Sequence, residues 1–180
     1  MRILAFIILG SLLPAKEAQL FSVSEGEVKF TSNAPLELIQ AKTYQIFGLI
    51  NTAENTFAFK VPMASFEGFN SPLQREHFNE NYVESSKYPS SIFKGRILED
   101  IDLSVDGFYD NIPVRGRFSL HGIERERELL SDITVKNGEI KIESSFLVPL
   151  VDHNIKIPSV VRRKLATQIN VFLDVTMTPR

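Results

Sequence analysis

Cysteine and tryptophan are absent from the 180 residues. Without cysteine there is no disulfide, no thiolate zinc site, no cysteine nucleophile and no lipid anchor through an N-terminal cysteine. No apolar run approaches the ~20 residues that a spanning helix needs. No glycine-rich phosphate loop, G-x-S-x-G elbow or H-E-x-x-H pair is present. Charge of one sign is also scarce: 20 Lys and Arg stand against 22 Asp and Glu, a net of -2. That balance gives no reason to expect nucleic acid or an anionic membrane surface as partner. Linkers, internal repeats and low-complexity segments are missing as well.

What is present is apolar and aromatic. Phe occurs 14 times, and 43% of the chain is hydrophobic. Mean hydropathy is close to zero, as in a globular protein with a real core. The opening "MRILAFIILGSLLPAKEAQLF" pairs Arg2 with an apolar run from Ile3 to Leu13, broken by Pro14 and Ala15. This reads as a signal peptide over residues 1-18, cleaved after Ala15 or Ala18, ahead of one domain at 19-180. The expected product is an exported bacterial protein, periplasmic or secreted, with no integral membrane segment after processing.

Most of the chain after residue 18 alternates with period two, the mark of half-buried strands. Val28 and Phe30 share one face, as do Phe57, Phe59, Val61 and Met63. Val114, Phe118 and Leu120 alternate with Arg115, Arg117 and Ser119. Ile140, Ile142, Phe146 and Val148 form another set, and Ile169 to Met177 the last. Weaker strands are expected over Leu38 to Ile50, Ser91 to Leu103 and Leu129 to Val135. "SEGE", "NTAEN", "VDGFYDN" and "KNGE" read as turns, and Asn137-Gly138 is the strongest hairpin signal. The pattern predicts an all-β, eight-stranded antiparallel barrel or sandwich with a short helical excursion after the third strand. In the excursion Pro72 opens a helix carrying Leu73, His77, Phe78 and Tyr82, and Pro89 stops it. Glu76, Glu80 and Glu84 form its wet stripe. Pro158 opens a second helical turn before the last strand.

Chemistry is thin. His77, His121 and His153 are the only imidazoles, and their spacing matches no zinc motif. A serine-histidine-carboxylate constellation is spatial and stays open. The "RERE" run at Arg125 to Glu128 reads as a solvated strand end. The aromatic surplus is the stronger signal. "ASFEGFNSP" places Phe66 and Phe69 in an irregular segment just before Phe78 and Tyr82. Four aromatics outside any strand suit an apolar mouth or cap.

Several stretches together carry a resemblance: "GEVKFTSNAP", "SFEGFNSPLQREHFNENYVESSKYPSSIFKGRI", "VRGRFSLHGIERE" and "VPLVDHNIKIPSVV". In that order, with the "YP" break, Phe-x-Gly and the Gly116…His121-Gly122 spacing, the chain resembles the YceI-like family from about Gly26 to Thr178. "YQIFGLINTAEN" replaces the family's early histidine and glycine-rich pattern, and the tail "IKIPSVVRRKLA" also departs from the commonest form. The resemblance implies a lipocalin-like barrel with an elongated apolar tunnel. It would bind a polyisoprenoid or another long-chain lipid, with no cofactor and no catalysis. The residues expected at the ligand are Phe57, Phe59, Phe66, Phe69, Phe78, Tyr82, Phe93, Phe118, Leu120 and Phe146. Arg75 and His77 are the candidate polar contacts, and His121 is read as satisfying a backbone carbonyl. Edge strands and the acidic helix offer surfaces for a homodimer. Two other readings stand beside this one: a metal-dependent or hydrolytic protein using the histidines, and an envelope interaction module with a filled core.

Overall fold

In a computed structural model, residues 19–180 are described and form one closed antiparallel barrel. The strands are β1 (Leu20–Asn33), β2 (Leu38–Thr43), β3 (Phe47–Asn51), β4 (Thr56–Pro62), β5 (Ser90–Ile97), β6 (Gly107–Leu120), β7 (Ile123–Lys136), β8 (Glu139–Pro149) and β9 (Gln168–Pro179). β2 and β3 both pair with β1, at its two ends, so they act as one stave interrupted at residues 44–46. The nine strands therefore make eight staves, and β1 closes on β9 from Phe21↔Pro179 to Thr31↔Asn170. One strand edge stays without a neighbouring strand, that of β2, which meets only the isolated bridge between Lys42 and Glu67. The expected signal peptide lies outside the described residues.

Several strands run further than periodicity indicated. "SEGE" is not a turn: it sits inside β1, where a register shift between Val23 and Glu25 marks a bulge. "VDGFYDN" likewise enters β6, whose register shifts between Tyr109 and Ile112 at Asn111, with φ +53. A bulge and a turn draw on the same small polar residues, so local sequence does not separate them. β5 ends at Ile97. Ile101 and Leu103 are buried beyond it in a connection that plugs the barrel's lower end.

β7 starts at Ile123, six residues before the expected Leu129. Alternation fails there for a specific reason. The Arg125 Nε donates to the Asp152 carbonyl at 2.9 Å, and Arg127 pairs with the Asp152 carboxylate. Both arginines hold a covering loop where an apolar contact would normally stand. Glu126 and Glu128 lie opposite Arg117 and Arg115 in register, and Arg115 binds Glu128 at 2.7 Å on the exposed face. The "RERE" run is thus a largely solvated strand end, as expected, whose two faces carry different partners.

Two tight hairpins pin the register. Asn137-Gly138 and His121-Gly122 are both two-residue turns with positive φ at each position. Such turns match the twist of the flanking strands, and their second position favours glycine. At the barrel's waist Gly95 faces Gly116 across β5 and β6. A Cβ on Gly95 would lie 2.0 Å from the Arg115 carbonyl oxygen, so the strands approach too closely for any side chain.

Candidate functional site

The inward faces of the eight staves are filled unequally. At the lower end Ile50, Ile133, Ile140, Val175 and Met177 are essentially inaccessible and pack against Leu103. At the upper end a cavity of about 480 Å³ remains, within the ~300–1,000 Å³ usual for small-molecule sites. A separate void of about 40 Å³ lies below it.

An aromatic layer divides the two halves. Phe57 packs on Phe59 and Phe93, Phe93 on Phe118, and Phe118 on Phe146, with ring centroids 5.0–6.3 Å apart. Phe59, Phe93, Phe118 and Phe146 face the cavity, with Leu120 above them. Phe57 was expected there too, but it turns down into the small void. The layer blocks the barrel, so the elongated tunnel that the family resemblance implied is confined to one half.

The roof is a second aromatic cluster. Phe30 of β1 stacks on Phe78 at 5.3 Å, and Phe66 and Phe69 pack around both at 5.2–5.9 Å. Each pair adds roughly 0.5–1.5 kcal/mol beyond its area burial. Four rings from a strand, an irregular segment and the helical excursion converge because the wall has a gap beside β2, past its interruption. Segment 63–67 fills that gap. Lys42 and Glu67 exchange backbone hydrogen bonds at 2.9 Å, and the Thr43 and Ser65 hydroxyls meet at 2.7 Å.

The helical excursion follows. Ser71 caps α1 (Pro72–His77) by accepting from the Gln74 N–H, and Pro72 sits in the first turn, where a missing N–H costs nothing. The helix then widens into a π-turn over Phe78–Tyr82, closed by Val83 N–H to the Phe78 carbonyl. That widening brings Phe78, Tyr82 and buried Val83 onto the cavity side. Burial raises the pKa of the Tyr82 phenol above its ordinary value.

Polar groups are few and gather near the rim. His77 lines the cavity with Gln74, Glu37, Ser71, Ser32 and Lys164. Gln74 Nε2 donates to Glu37 at 2.6 Å, and Ser32 accepts from the Ala166 N–H. Arg75 does not join them. It is exposed and donates to the Ala64 carbonyl at 3.2 Å, bracing the excursion rather than facing the cavity.

His121 and His153 are structural. Their carbonyl partners fix the donors: His121 Nδ1–H donates to the His153 carbonyl at 3.0 Å, and His153 Nδ1–H to that of Ile123 at 3.1 Å. His121 Nε2 meets Glu84. Glu84 therefore leaves the expected wet stripe: it follows the π-turn with φ +46 and clasps the β6–β7 turn. His153 is fully buried, its Nε2 has no hydrogen-bond partner among the described residues, and burial lowers its pKa below the ordinary value. Among the described residues no group of three or more His, Asp or Glu side chains is arranged to hold a metal.

Sequence reading missed one wall entirely. Leu150, Ile155, Ile157, Val161 and Leu165, from the β8–β9 connection, line the cavity opposite the aromatics. Their apolar spacing in "LVDHNIKIPSVVRRKL" was the available signal. It is short, broken by Pro158 and shared with any loop that covers a core.

Comparison with known proteins now decides the family. The YceI-like domain model matches residues 17–177. The chain belongs to the YceI-like family. Among solved structures it is similar to a polyisoprenoid-binding domain from Saccharophagus degradans implicated in plant cell wall breakdown. That match has 13% identity and a TM-score of 0.73, and covers 89% of this chain and 98% of the other. It is also similar to BcnA of Burkholderia cenocepacia, with 9% identity, TM-score 0.70 and coverage of 84% and 95%. The YceI protein of Campylobacter jejuni matches at 13% identity and TM-score 0.57, covering 100% of this chain and 93% of its own. No curated protein matches the sequence. These structures share the barrel architecture described above.

Proposed function

We propose that this YceI-like chain binds a long-chain lipid of the polyisoprenoid class, seats the apolar tail in the upper half of the barrel, and carries it without covalent chemistry. The observation that supports this most directly is the 480 Å³ cavity, walled by apolar side chains and roofed by the Phe30–Phe66–Phe69–Phe78 cluster. Each methylene buried there contributes about 0.8 kcal/mol, so a few isoprene units outweigh the cost of ordering the ligand. The rim groups Gln74, Glu37 and His77 offer hydrogen bonds to a small head group but no assembled nucleophile, base and oxyanion site. A solved relative described as a polyisoprenoid-binding domain supports the ligand class. The apolar stretch from Ile3 to Leu13 supports export and so a carrier in the cell envelope.

Organic extraction of the purified protein, followed by mass spectrometry, tests the reading. A co-purifying isoprenoid, or stoichiometric uptake of an added polyprenol, is expected. Failure to take up any long-chain lipid, with the cavity proven empty, would overturn it.

A further inference from the structure

The net charge of the chain conceals a local concentration. From Asn154 to Leu173 there is no acidic residue, while Lys156, Arg162, Arg163 and Lys164 supply four cations, leaving -6 for the rest of the chain. None of the four forms an ion pair among the described residues. Three of them sit on one lip of the cavity mouth, the segment 159–165, where Val161, Lys164 and Leu165 face the cavity.

The same rim carries exposed aliphatic chains. Val160 on the lip is 88% exposed, and Leu36 on the β1–β2 hairpin and Leu73 on α1 are each 57% exposed. Backbone and side-chain bonds link the three elements in order around the mouth. Leu36 N–H donates to the Arg163 carbonyl at 2.8 Å, and Gln74 donates to Glu37. Acids are present too, but on the other part of the rim. Glu37 is engaged by Gln74, and the exposed Glu76 and Glu80 lie on the helical excursion, separated from the lip by the hairpin. Apolar prongs flanked by unpaired cations are what a surface needs in order to settle on anionic lipid head groups.

We propose that the lip formed by Val160, Arg162, Arg163 and Lys164 docks the cavity mouth onto a bilayer containing anionic phospholipids. The docked mouth lets a hydrophobic chain pass between bilayer and cavity without crossing water, a consequence that rests on the lipid-carrier reading above. Charge complementarity selects the occupant: the lip offers three cations and no acid to a surface that presents only anions or zwitterions.

Vesicle flotation of the full protein tests this, using phosphatidylcholine alone and phosphatidylcholine mixed with phosphatidylglycerol. Binding is expected only to the anionic vesicles, and it should weaken as salt is raised. The R162E/R163E double variant, whose side chains lie outside the cavity lining, should bind at least ~10-fold more weakly. Val160→Asp should weaken binding by a smaller factor. Both variants should keep the wild-type unfolding curve and the wild-type uptake of a polyprenol added without vesicles. Equal binding to neutral and anionic vesicles, or undiminished binding by the double variant, would overturn the docking surface. Loss of polyprenol uptake by the wild type would instead overturn the carrier reading, leaving the vesicle result to stand by itself.

Discussion

The two halves of this barrel are built from the same eight staves with the same alternation, yet one is solid and the other hollow. In the lower half the inward residues are mainly Ile, Val and Met, closed off by short turns and by the plug of Ile101 and Leu103. In the upper half Phe stands among the Ile and Val, and long connections stand over the opening instead of filling it. A barrel of this size either packs its interior or holds one ligand. Here both outcomes occur along one axis, and the Phe57–Phe93–Phe118–Phe146 layer is the border. Interior volume in such a fold is therefore set by what covers each end, as much as by the residues on the wall.

The widest separation between the halves should appear in truncations. Ile140→Ala, in the solid half, should cost about 2–5 kcal/mol, because the cavity it leaves has packed walls on every side. Leu173→Ala, beside space that already exists, should cost clearly less. Urea unfolding of both variants decides the matter, and equal costs would erase the distinction. Gly95→Ala should also cost about 3 kcal/mol or more, because the strands at the border must part to admit a Cβ.

Filling the hollow half sharpens the comparison from the other side. Val171→Trp places a large ring where Val171 faces the cavity. Polyprenol uptake should fall roughly tenfold or more, while the midpoint of thermal unfolding moves by only a few degrees. A wild-type affinity would mean that the chain binds elsewhere.

Acid should loosen the hollow end first. Burial holds the pKa of His153 below its ordinary 6.5, so the folded state favours neutral imidazole. The unfolded chain takes up a proton as pH falls through 6.5. The stability tied to this group is thus complete above that value and is lost as pH drops toward the lowered pKa of the folded state. Each unit of separation corresponds to about 1.4 kcal/mol. Hydrogen exchange of the β8–β9 connection should accelerate between pH 7 and 5, with the Asn137-Gly138 end unchanged. His153→Asn, which keeps a donor for the Ile123 carbonyl, should flatten that response. The smallest effect belongs to neither half. Arg115→Gln, on the exposed outer face, should change stability by less than ~1 kcal/mol.

Much of this architecture was legible before any coordinates. Alternation identified the inward faces of β4, β8 and β9, where every expected apolar position points inward. The Asn137-Gly138 turn carries its own chemistry, whereas His121-Gly122 entered only as a family spacing and its turn became visible in the structure. Pro72 and Pro89 bracketed the excursion, and the aromatics of "SFEGF" together with Phe78 do roof a cavity. What misled were residues whose partners lie far along the chain. Arg125 and Arg127 occupy inward positions because Asp152 comes to meet them. Glu84 abandons the helix surface because His121 stands beside it, and Arg75 turns away toward Ala64. No local pattern encodes such partners.

The sequence by itself determined which side of each strand faces inward, because a period of two is a property of the extended backbone alone. It also determined the Asn137-Gly138 turn, because positive φ at consecutive residues restricts the choice to a few types. The tertiary structure alone decided which half of the barrel stays empty. Whether facing side chains meet depends on the distance across the barrel, which closure, the Gly95–Gly116 approach and the long upper connections set together.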